Sequence, residues 1–592
     1  MNEGTTLTWR RHRLSSLGRD ALRSLTRRAL PAPAPPRGAA APAPSDIELP
    51  DELPATPLEK AVTLLRVASQ IEHALMVQYL YAAYSVSGQH RRKIAGVAIE
   101  EMSHLMTVQN LLRFIGAEPY LYRQDYGPPT NEDERLFPFE LLLEPLSHLS
   151  LAKYVVAESP AEPPREVDRQ VLAHIVELAT GSAHEPVNRV GTLYALLGAV
   201  FGSQQLLAEL AGTGDPWFVA VDQLAAEAAP LYGGRDGLHL PESAFQATSV
   251  SDQASDQDWD RSVILPGIDE FRVHVVTNRR EALEALRDIG LQGEGPSPVM
   301  AETAHFRRFY DLFLELFPPN GMGTNPPAGA VHVPMGSHIV LEEQGSGENV
   351  ISHPTTIRWA RLADLRYAIL LASLECYLRT PTTDREFLRG WCFAEMFALR
   401  KLGELLPGMP RTAQSATEKA ALPFNLPVWL AKGAQWSDLT AAIGKAMTIA
   451  QDLQDDAGVT PEQRRLLVHL LASDERKLQE ATARTQGTTQ RTRADAVRDA
   501  LDWAAGAGDP SDPAHDEQGR FWNLQREELI QVSINGENIT TPPPGEEALL
   551  IKVLRTRFMP AKRPKLTTPT TESEEYKLVR DWVIDGCPDE PV

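Results

Sequence analysis

The stretch AIEEMSHLMTVQNLL, residues 98–112, places two acids and a histidine within an otherwise apolar segment. Its apolar residues recur at intervals of three and four, which predicts a helix. Glu101 and His104 are three positions apart, so they project from one face of that helix together with apolar side chains. Burying charged groups costs free energy unless a partner compensates them. The pattern therefore indicates a buried partner for Glu101 and His104.

The preceding segment, residues 57–86, has the same periodicity, and only the short break SGQH separates it from the next helix. Two amphipathic helices joined by a short loop predict an antiparallel helical hairpin. Glu72 shares its helix face with apolar residues, so each helix is expected to present an acid to the same core. Glu100, one position round from Glu101, is expected to be peripheral, and Tyr79 is expected to belong to an aromatic packing stripe.

A second Glu-x-x-His motif occurs much later, as Glu302 and His305 in ETAHF. Two such motifs with a further glutamate on a neighbouring helix match the arrangement of di-iron and di-manganese carboxylate proteins. Divalent cations need several anionic oxygens around them, and imidazoles fill the remaining positions. A single motif of this kind indicates only a surface pair or a core hydrogen bond. Three acid-bearing helices with apolar surroundings predict a metal site.

The 592-residue chain is too long for one core, and its helical periodicity predicts an all-α protein of several domains. Residues 1–56 are expected to form a disordered basic arm with a Pro/Ala linker. Residues 57–318 are predicted to form a metal-binding four-helix bundle, and residues 319–356 a linker with a short strand. A second helical bundle is predicted over residues 357–500, and a small helical C-terminal domain over residues 515–592.

Composition excludes several classes of function. The net charge of −21 argues against a general nucleic-acid partner. The three cysteines form no CxxC motif, which is typical of a reduced, cytoplasmic protein. No apolar run is long enough to cross a bilayer. The partner expected from composition and from the metal motif is a small-molecule substrate.

The segments IEHALMVQYLYAAYSV (residues 71–86), AIEEMSHLMTVQNLLRFIGAEPYL (residues 98–121) and ETAHF resemble the ferritin-like domain of the iminophenyl-pyruvate dimer synthase family. That family includes the synthases of the violacein and rebeccamycin pathways, which couple imines derived from tryptophan oxidation. The resemblance covers about residues 57–318. It implies a ferritin-like bundle with an iron site, mononuclear or dinuclear, in which manganese is an alternative metal.

The resemblance also implies which residues bind the metal. Two positions depart from the family pattern, because Thr192 and Leu291 stand where the family carries acids. These departures leave open whether the site holds its full complement of metal. The expected ligands, including two acids that could complete the set, are Glu72, Glu101, His104, Glu294, Glu302 and His305.

The C-terminal segment EEYKLVRDWVIDGCPD resembles the closing helix of a cytochrome c-like domain. Covalent haem attachment requires CxxCH, which this chain lacks, so no covalent haem is expected. Trp582 is expected to anchor the last helix in its core. The tail is a candidate site for a protein partner.

The two predicted bundles share a faint sequence similarity. VAIEEMSHL can be aligned with WCFAEMFAL, which places Glu395 on Glu101 and Ala398 on His104. This indicates either an internal duplication whose second copy lost its ligands, or chance similarity between amphipathic helices.

Two functions remain open at this point, and no catalytic residue is assigned. The first is an iron-dependent oxidoreductase that acts on an amino-acid-derived small molecule in specialised metabolism. The second is a non-catalytic scaffold or interaction protein with a degenerate metal site. Iron storage is a weaker third reading, because the long, insertion-rich chain does not resemble a cage-forming subunit.

Overall fold

The computed structural model shows a mostly helical protein and confirms the predicted all-α fold class. The chain divides into two compact units. The first comprises Met1–Asp256 with Asp269–Ile339, and the second comprises Gln257–Ile268 with Val340–Val592. The structure describes residues 7–13, 46–123, 136–159, 167–181, 189–246, 253–255, 259, 272–292, 304–318, 330–335, 339–341, 349–380, 385–415, 417–486, 497, 501, 530–534, 537–540, 548, 550–551, 574–585 and 587.

Helices account for most of the described part of the first unit. Helix α1 packs against α2 and α5, while α10 packs against α3 and α2, so these five helices enclose the centre of the unit. The helices of this unit are α1 (Pro57–Tyr84), α2 (Gly88–Phe114), α3 (His148–Ala157), α4 (Arg169–Thr180), α5 (Arg189–Phe201), α6 (Gln204–Ala211), α7 (Pro216–Ala228), α8 (Gly234–Leu238), α9 (Arg279–Gln292) and α10 (His305–Leu316), with a 3₁₀ turn at Glu242–Ala244.

The predicted α1–α2 hairpin is present, and local signals define its ends. The Thr56 hydroxyl accepts a hydrogen bond from the backbone N–H of Glu59, whose carboxylate accepts one from the Thr56 backbone, and Pro57 occupies the first turn. After α2 the chain reverses at Gly116, which has a φ of +73° and donates its N–H to the Arg113 carbonyl at 2.9 Å. Because these signals are local, the sequence predicts this hairpin well.

The apolar periodicity of residues 187–211 predicts one further helix, but the structure divides it in two. Helix α5 ends at Phe201, and the Ser203 hydroxyl then caps α6 by accepting from the Leu206 N–H at 3.3 Å. Gly202 permits this break, because a Cβ there would lie 2.6 Å from the Leu207 side chain. Helix α3 was not predicted from the sequence.

The predicted disordered arm is wrong for the residues that the structure describes there. Strand β1 (Trp9–Arg13) pairs antiparallel with strand β2 (Asp46–Pro50). The side chain of Trp9 is 2% exposed and belongs to the core of the unit, and Arg189 contacts Glu48 at 2.8 Å. The prediction was based on the basic and Pro/Ala composition of the segment. A few apolar residues within it are buried, and their burial orders the strands.

The described part of the second unit contains four long helices, α11 (Pro354–Arg379), α12 (Glu386–Leu405), α13 (Trp436–Gln454) and α14 (Pro461–Gln486). Helix α11 packs against α12 and α13, and α13 packs against α14. The remaining elements are strands β3 (Val340–Leu341), β4 (Val350–Ile351), β5 (Ser533–Ile534) and β6 (Glu537–Asn538), 3₁₀ turns Leu406–Gly408 and Val428–Lys432, and helix α15 (Glu574–Ile584).

A separate small apolar core surrounds α15 near the C-terminus. Trp582 is fully buried in it, as expected from the sequence, and Tyr576 and Cys587 belong to the same core. All three cysteines are buried, and none forms a disulfide. Among the described residues, no helix has the length and apolarity needed to traverse a bilayer.

Candidate metal centre

Five side chains from four elements converge at the centre of the first unit. They form two groups, Glu72–Glu101–His104 and Glu101–Glu158–His305, and within each group the potential ligand atoms lie within 4.8 Å of one another. All five side chains are buried, and Glu101 belongs to both groups. Glu101 is therefore placed to bridge two sites.

Helix geometry explains how the chain brings these groups together. Glu72 lies in the middle of α1, and Glu101 and His104 lie one turn apart on the inner face of α2. His305 is the first residue of α10, and Glu158 is the C-cap of α3. Side chains from helix interiors and helix ends thus meet where packed helices leave no room for bulk water.

Each oxygen of Glu101 faces a different histidine. Its Oε2 lies 3.0 Å from Nδ1 of His104, and its Oε1 lies 2.8 Å from Nδ1 of His305. His104 Nδ1 is also 3.4 Å from Glu72 Oε2, and His305 Nδ1 is 3.6 Å from Glu158 Oε2. The two imidazole centroids are 5.5 Å apart. This arrangement gives each half of the centre one histidine, one carboxylate of its own and one oxygen of Glu101.

The donor set fits divalent transition metals. Glu101 Oε1 and His305 Nδ1 are both buried without a hydrogen bond to any described group, although they are only 2.8 Å apart. The two atoms are in contact at this distance, but their geometry is not that of a hydrogen bond. Lone pairs this close repel unless a proton or a cation lies between them. Mixed carboxylate and imidazole ligands suit iron, manganese and zinc.

An ion pair of Glu100 and Arg308 contacts the Nε2 side of the His305 imidazole. Nε2 of His305 lies 2.9 Å from Oε2 of Glu100, and Nη1 of Arg308 lies 2.6 Å from both oxygens of that carboxylate. Gly96 admits the arginine, because a Cβ at that position would lie 2.7 Å from Arg308 Nη2. The expectation that Glu100 is peripheral is wrong, since Glu100 orients the imidazole of a candidate ligand.

Two tyrosines support the outer carboxylates. The Tyr194 hydroxyl donates to Glu72, and the Tyr79 hydroxyl donates to Glu158. Tyr79 does pack against Tyr154 and Phe309 as an aromatic stripe predicts, with centroids 4.8 Å away in both cases. Its hydroxyl also makes the hydrogen bond to Glu158, which an aromatic packing role did not predict.

Burial and mutual contact shift the ionisation of the cluster. Burial raises the pKa of Glu72 to about 7, and burial with the charge of Glu101 raises the pKa of Glu158. Burial acts to lower the pKa of His104, but contacts with Glu101 and Glu72 outweigh it and raise that pKa to about 10. Burial also acts to lower the pKa of His305, but the charge of Glu101 together with contacts to Glu100 and Glu158 outweighs it and raises that pKa. Metal binding at this cluster must therefore displace protons.

The opposite shift at Glu101 marks it as the anionic centre of the cluster. Burial would raise its pKa, but the charge of His305 and the hydrogen bond to His104 hold that pKa well below its usual value. Glu101 is consequently ionised when its neighbours are still protonated, which suits a residue that two cations would share.

The structure brings together Glu72, Glu101, His104 and His305, four of the residues expected to bind metal. Glu294 and Glu302, the other two, lie outside the described residues. Thr192 is buried on α5, and Leu291 lies near the C-terminal end of α9.

Sequence reasoning missed Glu158. The only local signal is an acid directly after the apolar run YVVA, at the end of a helix that was itself not predicted. Tyr194, two residues after Thr192, was likewise not expected to reach the centre.

Replacing Glu100 with glutamine is expected to weaken one half of the centre selectively. The imidazole of His305 would lose its anionic partner, and loss of such outer contacts lowers metal affinity by about 10- to 100-fold. The ion held with His104 should bind as before. Cobalt(II) titration followed by absorbance would resolve the two steps. Glu315→Gln, an exposed acid on α10, the helix that begins at His305, is the control, and equal weakening of both steps in E100Q would contradict the assignment.

Comparisons with known proteins agree with this geometry. Residues 65–314 match the family model described as Ferritin-like, and this range contains all five converging side chains. The chain is 30% identical over 130 residues to dichlorochromopyrrolate synthase of Lentzea aerocolonigenes; the match covers 17% of this chain and spans only 13% of the length of that relative. No solved structure matches the chain. Residues 65–314 are thus similar to ferritin-like proteins, and this range contains buried Glu/His groups that could hold a metal.

Proposed function

We propose that this ferritin-like domain is the metal centre of an iron-dependent oxidoreductase with a small-molecule substrate derived from an amino acid. The observation that carries the proposal is the position of Glu101, whose two oxygens face the two histidines at 3.0 and 2.8 Å. Glu72 and His104 would hold one ion, and Glu158 and His305 the other, with Glu101 shared. Manganese is the alternative metal for the same donors.

When bound, iron would supply one-electron redox chemistry and a site for activating dioxygen. The residues of the chain do the remaining work. Glu101 fixes the separation of the two halves, the hydroxyls of Tyr79 and Tyr194 fix the outer carboxylates, and Glu100 with Arg308 fixes the His305 ring. The apolar helix faces around these groups exclude bulk water, which strengthens each electrostatic contact.

Two observations support the substrate class. The first is the similarity to dichlorochromopyrrolate synthase, 30% identity over 130 residues, in a chain that also carries the candidate metal groups. The hairpin segments also resemble those of synthases that act on imines of amino acids. The activity of the whole protein and the identity of its substrate are part of this proposal.

The test is oxygen consumption by the full chain loaded with ferrous iron under anaerobic conditions. We expect about two iron ions per chain, one for each group. We also expect sustained oxygen uptake only when an aromatic amino-acid imine, generated in place by an amino-acid oxidase and corrected for its own uptake, is present. Iron near zero after loading would favour the scaffold, and a stoichiometry far above two would favour storage. Bound iron without imine-dependent uptake would contradict the substrate class.

A further inference from the structure

The second unit contains a buried cluster of four charges. Arg366 on α11, Glu395 on α12, and Asp474 and Lys477 on α14 are each at most 3% exposed. Arg366 donates through Nη1 to Asp474 at 2.6 Å, through Nη2 to the same carboxylate, and contacts Glu395 at 3.4 Å. Lys477 donates to Glu395. Charges are rarely buried at this depth, so the cluster requires an explanation.

The positions of these charges correspond to those of the metal centre. Glu72 and Glu101 are 29 residues apart on consecutive helices, and so are Arg366 and Glu395. One constant shift of 294 residues therefore places Glu72 on Arg366, Glu101 on Glu395 and His104 on Ala398. The same shift brings the end of α1 to within one residue of the end of α11.

The last contributing helix of each unit does not share this shift, because Lys477 lies 172 residues after His305, but it supplies a comparable contact. In the sequence, Lys477 follows Asp474 by three positions and His305 follows Glu302 by three. Lys477, like His305, reaches the central glutamate of its unit. Two helices in register and a third with matching spacing favour duplication over chance similarity between amphipathic helices.

Charge distinguishes the two clusters. In the first unit three carboxylates meet two imidazoles that are neutral as ligands, which leaves about three negative charges for cations to balance. In the second unit two carboxylates meet a guanidinium and an ammonium, so the cluster is neutral by itself. Arg366 lies at the helix position that corresponds to Glu72, a candidate ligand, and the positive charge of its guanidinium takes the place of a metal cation.

We propose that the second helical unit carries the counterpart of the metal centre, in which Arg366 and Lys477 supply the positive charge that divalent cations supply in the first unit. The charges of this buried cluster are consequently balanced without metal. The comparison with the first unit rests on the proposed function, whereas the charge replacement within the second unit does not.

The first experiment measures the cost of removing one cation. In the full chain, Lys477→Met leaves Glu395 buried with an unbalanced charge, and we expect the thermal midpoint to fall by about 10 °C. Adding Glu395→Gln should recover more than half of that loss, because the double variant has no net charge left to bury. Lys445→Met, an exposed lysine of the same unit, is the control and should change nothing. A K477M protein as stable as K445M, or no recovery in K477M/E395Q, would overturn the proposal.

The second experiment asks where metal binds. Glu101→Gln with His104→Ala should leave a folded chain without tightly bound cobalt(II). Adding Arg366→Glu, Ala398→His and Lys477→His to that protein should introduce about one cobalt(II) per chain, with a rise in thermal midpoint on metal addition. If E101Q/H104A still binds cobalt(II) tightly and loses it when Glu395→Gln is added, the proposal is overturned. It is also overturned if the variant with all five substitutions folds but binds no metal. If the wild-type chain binds no metal at all, the proposed function fails, and the Lys477 series still decides the inference.

Discussion

Replacing Glu101 with glutamine is expected to remove both metal ions from the first unit, with a loss of affinity of at least about 100-fold for each. Each oxygen of this carboxylate faces one half of the centre, so one substitution affects both. Glu72→Gln should weaken only the ion held with His104. Elemental analysis and cobalt(II) titration of the folded variants would measure both effects.

The control for this prediction is Glu284→Gln, an exposed acid on α9 that lies outside the candidate centre. It should retain the wild-type metal content. Circular dichroism should show the same helical content in E101Q as in wild type, because loss of metal through unfolding would not test the site. An E101Q chain that keeps one ion at full affinity would contradict the bridging role of Glu101.

Metal affinity is expected to rise by about tenfold per pH unit for each ion between pH 7 and 9. In the metal-free protein the pKa values of both imidazoles are raised, that of His104 to about 10 and that of His305 well above its usual value, which favours their protonated forms in this range. Each half contains one of them, and each ion must therefore displace about one proton. Calorimetry in buffers of different ionisation enthalpy would count the protons released. A His104→Ala chain should lose the slope for one ion, and an affinity independent of pH would contradict the prediction.

The same ionisations make the metal-free protein sensitive to alkali. The folded-state pKa of His104, about 10, lies above that of the unfolded chain. Groups shifted in this direction contribute stability below their unfolded pKa and lose it as pH rises through the folded value. We expect the thermal midpoint of the metal-free chain to fall by about 5 °C or more between pH 7 and 10. Metal should abolish this fall, because bound cations replace the protons, and an unchanged slope in the loaded protein would contradict it.

Part of the candidate site could be predicted from the sequence because its signals are local. Glu101 and His104 share a helix face through their spacing of three, and the capping box and Gly116 define the hairpin that carries them. His305 was accessible through the repeated Glu-x-x-His spacing. The prediction failed where contact depends on distant segments: Glu158 lies at the end of a short helix, and Arg308 reaches Glu100 across 208 residues of chain.

By itself, the sequence determined the all-α class, the first hairpin and the inward face of α2. Helical periodicity and capping depend on residues only a few positions apart, so they are encoded in short stretches. Only the tertiary structure decided which acids surround Glu101, that Tyr79 and Tyr194 support them, and that Arg366 and Lys477 neutralise the second cluster. Burial and pairing of charge depend on groups that packing brings together from distant parts of the chain. Those neighbours determine the free-energy cost of burying each charge.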